Sequence, residues 1–72
     1  MNDLEITRLA KLGHVFSNEL RLKIYLLILN NKEALHSSAI AEKMKVRDAL
    51  ASFHLTALVQ SELVIRVPSG SY

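Results

Sequence analysis

The chain contains no cysteine. That removes disulfides and every thiolate metal site. Its three histidines, His14, His36 and His54, are too scattered in sequence to suggest a closed zinc site. The one proline, Pro68, and the two glycines, Gly13 and Gly70, all lie outside residues 14–67. A stretch that long with few breakers and many strong helix formers points to a mainly α body. Long hydrophobic runs are missing too. The longest, residues 24–29, is far too short to cross a bilayer, so no membrane is expected as a partner. Charges at Asp3, Glu5, Arg8 and Lys11 argue against a leader peptide in the first fifteen residues, and a cytoplasmic location is expected. There is no internal repeat and no low-complexity segment.

What is present is a small, apolar-rich chain. Seventy-two residues make one domain, spanning residues 1–72, and half of them are hydrophobic. A chain of this size buries only roughly 60% of its unfolded surface, so an isolated core is marginal. With disulfides and a structural metal set aside, a second copy is the remaining way to add stability, and a homodimer is expected. The net charge is +2 and the pI near 9.2, which is compatible with nucleic acid without identifying it.

The spacing of apolar residues predicts four helices. The first covers residues 4–12, with Asn2 or Asp3 as its cap and Gly13 as its stop. Leu4, Ile6, Leu9 and Leu12 spread around it, which implies burial on more than one side. The second runs over residues 17–30 with Ser17 as its cap. Its 24–29 segment, apolar all round, reads as the central core helix. The third is short, opening at Ser37 or Ser38 and turning Ala39, Ile40 and Met44 inward. After a break at Lys45-Val46 the fourth spans residues 47–61. Then the period changes: Leu63, Ile65 and Val67 alternate with Val64 and Arg66, and Pro68-Ser69-Gly70 makes a turn, so a short C-terminal β-hairpin is expected.

Two short helices joined by a tight break and followed by a hairpin describe a winged helix-turn-helix. The segments "FSNELRLKIYLLI", "SSAIAEKMKV", "SFHLTALVQSELV" and "SGSY" resemble the arsenic-repressor-type (ArsR) winged-helix transcription regulators. Arg21, Ile40-Ala41, Ser52-Phe53-His54-Leu55, Leu58, Leu63-Val64 and Gly70 carry the likeness, in order and in register over residues 9–72. The resemblance implies a mainly α winged helix-turn-helix of about four helices with a hairpin wing. This chain departs from it in two ways. Lys45 and Glu62 stand where the family usually has glycine, and the family's long C-terminal helix is missing. If those two positions need a left-handed backbone, each costs about 1–2 kcal/mol, and an altered turn geometry is expected.

On a wheel of about 100° per residue, Ala51, Leu55 and Leu58 of the fourth helix share one face, with Leu50 and His54 on its flank. Ala49, Ser52, Phe53 and Thr56 take the opposite, outward face. Alanine and phenylalanine can touch thymine methyls, and hydroxyls can bond donors or acceptors, so these four residues are candidates for reading base edges in a major groove. A buttressing role for Phe53 against a loop or the wing is the alternative. Lys43, Lys45, Arg47 and Arg66 are candidate phosphate contacts, or else solvated surface charge. His54 is either a hydrogen-bonded residue at the core edge or a DNA contact. Asp48 is expected to cap the fourth helix.

Ser52, His54 and Asp48 diverge around one helix, so they do not form a catalytic triad, and no enzyme is expected. Where many ArsR-like proteins carry Cys-x-Cys, this chain has His36 and Ser38. No metal and no cofactor are therefore expected, His14 and His36 being the only plausible ligands. The reading that follows is a sequence-specific double-stranded-DNA-binding transcription regulator, a dimeric repressor that inserts residues 47–61 in the major groove. It would pair with its copy through residues 4–16 and helix 17–30. The alternative is a winged-helix module that docks a partner protein instead of DNA.

Overall fold

A computed structural model describes all 72 residues and holds four helices: α1 Asp3–Val15, α2 Glu19–Asn30, α3 Ser37–Met44 and α4 Asp48–Gln60. Each boundary has a local cause. At the start of α1 the Asn2 side-chain oxygen accepts from the Glu5 N–H at 2.8 Å, satisfying a donor that no helical carbonyl can reach. Asp3 and Glu5 add negative charge beside the positive end of the helix.

Gly13 does not end α1, which continues to Val15 because Gly13 keeps helical backbone; Gly70 is the only glycine with positive φ. The stop comes from Ser17, whose backbone N–H and side-chain hydroxyl both donate to the His14 carbonyl, at 3.2 and 2.6 Å. Ser17 is thereby committed to the end of α1 and cannot cap α2. Asn18 takes that place, its side-chain oxygen accepting from the Arg21 N–H at 3.0 Å.

The α3 helix opens without a side-chain cap from Ser37 or Ser38. His36 occupies the capping position in extended backbone, and Ser37 is already helical. His36 is extended because it forms an antiparallel bridge with Ser71, next to the pair in which Leu35 and Tyr72 exchange both backbone hydrogen bonds, at 3.0 and 2.8 Å.

Both α3 and α4 end in the same six-residue closure. Val46 N–H donates to the Ala41 carbonyl and Lys45 N–H to Glu42. Leu63 N–H donates to Leu58 and Glu62 N–H to Val59. This is the Schellman pattern, which requires a left-handed residue just past the helix. Lys45 (φ 58°) and Glu62 (φ 62°) supply it, although neither is glycine. The turn geometry is therefore not altered as the missing glycines suggested. The left-handed backbone is kept and the side chains tolerate it.

No β-strand forms, so the expected C-terminal hairpin is not present as a sheet. Its turn is: Gly70 N–H donates to the Val67 carbonyl, Val67 N–H donates to Ser71, and Gly70 has φ 87°. That is a three-residue hairpin loop with a left-handed glycine. Only Ser71 and Tyr72 follow it, and they pair with Leu35 and His36, so the ladder stops after one bridge.

The core is made where α4 packs against α2 and α3. Ile24, Ile40, Leu55 and Leu58 are fully buried, with Val15, Ala41, Ala51 and Val64 around them. The central element is α4, with four buried residues, not α2, which buries only Ile24. Leu26 and Leu29 of α2 face solvent because α4 covers one side of that helix alone. The α1 helix departs further from expectation. Val15 is its only buried residue, and Leu4, Ile6 and Leu9 are each more than half exposed. One copy of the chain leaves this helix uncovered.

Candidate nucleic-acid interface

The α4 helix sorts its residues by face. Ala51, His54, Leu55 and Leu58 go inward, and Ala49, Phe53 and Thr56 are exposed with Ser52 half-buried beside them. Leu50, expected on the flank of the buried face, is 39% exposed. The outward face is thus neutral, apart from Asp48 at its start. Asp48 makes no capping hydrogen bond. Arg47 holds the capping position, and Asp48 acts only as a negative charge beside the helix N-terminus.

Phe53 is 62% exposed yet held in place. Its ring meets His54 edge to face at 5.3 Å between centroids, and the Arg21 guanidinium lies 5.9 Å over it. An aromatic face attracts a cation in this position. The ring is braced by α2, not by a loop or by the C-terminal turn.

His54 is buried, 3% exposed, and belongs to the core side. Its Nδ1 accepts a hydrogen bond from Arg21 Nε at 3.1 Å. An accepting Nδ1 has no proton, so the neutral ring carries its hydrogen on Nε2. Burial, and then the Arg21 charge, hold His54 below the usual histidine pKa, because both disfavour the imidazolium. A buried neutral ring with this bond ties α4 to α2 on the core side of the helix pair.

The candidate phosphate residues divide into two places. Lys43 in the last turn of α3, Lys45 in the left-handed turn and Arg47 at the start of α4 are all exposed and follow one another through the α3–α4 connection. Arg66 lies apart, its Nη2 near Gly70 in the C-terminal turn. None of the four is ion-paired, since the only salt bridge in the chain joins Lys23 and Glu19. All four are exposed and without a carboxylate partner.

No three His, Cys, Asp or Glu side chains converge on a point where a metal could sit. No helix is long and apolar enough to cross a membrane.

Sequence reasoning gave Arg21 no role, yet it organises the site. From α2 it reaches His54 through Nε, the Val15 carbonyl through Nη1 at 3.3 Å, and the Phe53 ring through its face. A signal existed: Arg21 stands three residues before the fully buried Ile24, on the same stripe of α2. A cation on an apolar stripe either reaches out or finds a buried partner.

Comparison with protein-family models, with curated proteins and with solved structures finds no match.

Proposed function

We propose that this chain is a sequence-specific double-stranded-DNA-binding transcription regulator, with α4 as the helix that enters the major groove. The observation that carries the reading is the α4 face itself. Ala49, Phe53 and Thr56 form an exposed, neutral surface, and the unpaired cations Lys43, Lys45 and Arg47 stand at the end where α4 begins. Neutral groups with hydroxyls and a ring suit base edges, and free cations suit the phosphates beside them. The resemblance to ArsR-type winged helix-turn-helix regulators points the same way. In this reading α3 and α4 are the helix pair, and the Gly70 turn is the tip of a wing too short to form strands.

The protein acts as a dimeric repressor in the cytoplasm, and is not an enzyme. Residues 4–16 and α2 form its dimer contact. The uncovered apolar side chains of α1, together with Leu26 and Leu29 of α2, support that assembly.

The test is a pair of substitutions titrated on an operator recovered from genomic fragments and on random duplex. Thr56→Ala should cost about 1–3 kcal/mol per half-site on the operator and leave random binding nearly unchanged. Arg47→Ala should weaken both DNAs and lower the salt slope by about one per contact. Equal losses for both variants on both duplexes would remove α4 as the reader. Phe53, 62% exposed, would then be the anchor of a protein-docking face instead.

A further inference from the structure

Arg21 is a half-buried cation with no anion near it. Its three contacts, His54 Nδ1, the Val15 carbonyl and the Phe53 ring, are all neutral. The chain's one ion pair lies elsewhere, between Lys23 and Glu19. A guanidinium has five N–H donors, and two are used here. No buried side-chain nitrogen or oxygen lacks a partner, so Nη2, which makes no protein hydrogen bond, reaches solvent. Arg21 lines a cleft between the end of α1 and the outward side of α4, together with His14, Phe53, Thr56, Gln60 and Ser61.

These features match what an anion requires. The charge is fixed before binding, since three contacts already hold the guanidinium plane, and little side-chain entropy is left to lose. Partial burial weakens the water screening that makes exposed pairs weak. A neutral donor, the Gln60 amide, lines the same cleft. No carboxylate lines the cleft to oppose an anion. Its neutral outer wall, Phe53 and Thr56, is also part of the α4 face assigned above to base reading.

We infer that this cleft is a phosphate site, with Arg21 as its fixed cation and Gln60 as a neutral donor. A tetrahedral phosphate oxyanion fits a guanidinium edge with an amide donor beside it. The phosphate belongs either to the DNA backbone beside α4 or to a free phosphate-bearing molecule. The first source rests on the DNA-binding reading; the second does not.

The test begins on the unaltered full chain, because Arg21→Ala would also break the contact with His54. Inorganic phosphate is titrated into ¹⁵N-labelled protein while the arginine Nε–Hε resonances are followed. Arg21 should shift saturably, at a phosphate concentration at least about fivefold lower than Arg8, an exposed arginine with no assigned phosphate contact, which serves as the internal control. Gln60→Glu, an exposed substitution, places a negative charge in the cleft. It should weaken that saturation about fivefold or more while the protein stays folded, with only a small fall in melting temperature because the new charge lies in the last turn of α4. An Arg21 signal that is unmoved, or that titrates in step with Arg8, overturns the site whatever happens on DNA. With the Arg21 response in place, random-duplex titrations separate the sources. A salt slope lowered by about one in Gln60→Glu assigns the phosphate to the backbone. An unchanged slope assigns it to a free ligand, and leaves the DNA reading to be judged by the unaltered chain's own affinity for duplex.

Discussion

Replacing Lys45 and Glu62 by glycine should stabilise this protein. Both residues hold the left-handed conformation that closes a helix, with φ of 58° and 62°. A side chain in that conformation brings Cβ against the following carbonyl oxygen, at about 1–2 kcal/mol. Glycine removes the clash but gives the unfolded chain more freedom, which costs about 0.5–1 kcal/mol. The difference leaves a gain of about 0.5–1 kcal/mol at each site. Little is lost in exchange, because both side chains are exposed and neither forms a salt bridge or a side-chain hydrogen bond. The two positions lie beyond opposite ends of α4 and share no partner, so their effects should add to about 1–2 kcal/mol. For a domain this size that raises the melting temperature by roughly 5–10 °C, read by circular dichroism at fixed protein concentration. Lys45→Ala and Glu62→Gln are the controls. Each keeps a Cβ while removing the charge, so neither should gain as glycine does. If the controls stabilise as much as glycine does, side-chain effects and not backbone strain govern these turns.

Three further outcomes are expected. Folding stability should fall with acid through the histidine range: His54 is held below 6.5 in the fold, so the unfolded chain takes up the proton first. The contribution is full above pH 6.5 and is lost as pH falls through the folded-state pKa. Urea titrations from pH 8 to pH 5 should show that decline, and His54→Gln should flatten it; an identical slope in the variant would assign the dependence to other groups. Gly70→Ala should destabilise by about 1–2 kcal/mol through its φ of 87° alone, since the new Cβ would meet only Arg66 Nη2, at an ordinary 3.7 Å. Amide exchange at Leu35 and Tyr72, whose mutual hydrogen bonds hold that turn to α3, should speed up with it. Deleting residues 1–13 should convert a dimer to monomer in sedimentation without melting α2–α4, because the deleted residues contribute none of the core. An unchanged dimer would place the contact on another surface.

The parts of this fold that were legible in the sequence are those set by local chemistry. Asn2 caps α1, the break at Lys45-Val46 separates α3 from α4, and the α4 wheel puts Ala51, Leu55 and Leu58 inside and Phe53 outside. The places that resemblance marks as glycine became left-handed even without glycine, because the carbonyls of Ala41 and Leu58 still need a donor. What was not legible depended on competition between neighbours. Ser17 and Asn18 could both cap α2, and Ser17 was taken by His14. The apolar run 24–29 signals burial without saying by what, and within one chain it covers only half of α2.

Arg21 shows where the remaining information lay. Periodicity treats a charged residue on an apolar stripe as noise, whereas the polar residue in the core is the one that constrains structure most. His54 lies 33 positions away, at the edge of the buried face of α4, and is the one neutral acceptor there that an arginine of α2 could use. Arg21, given no role, and His54, left between two readings, are two ends of a single contact. That contact also explains the exposed position of Phe53: a ring can stay at the surface of α4 because the guanidinium bound to its neighbour supports it. A double-mutant cycle on Arg21→Lys and His54→Gln measures the contact directly. Lysine keeps the charge but loses the planar Nε–H donor, so a coupling of about 1 kcal/mol is expected. The ring should also become more mobile in both single variants, seen as loss of the Phe53 side-chain shift dispersion. Strict additivity, with Phe53 undisturbed, would mean that the ring is held by α4 alone.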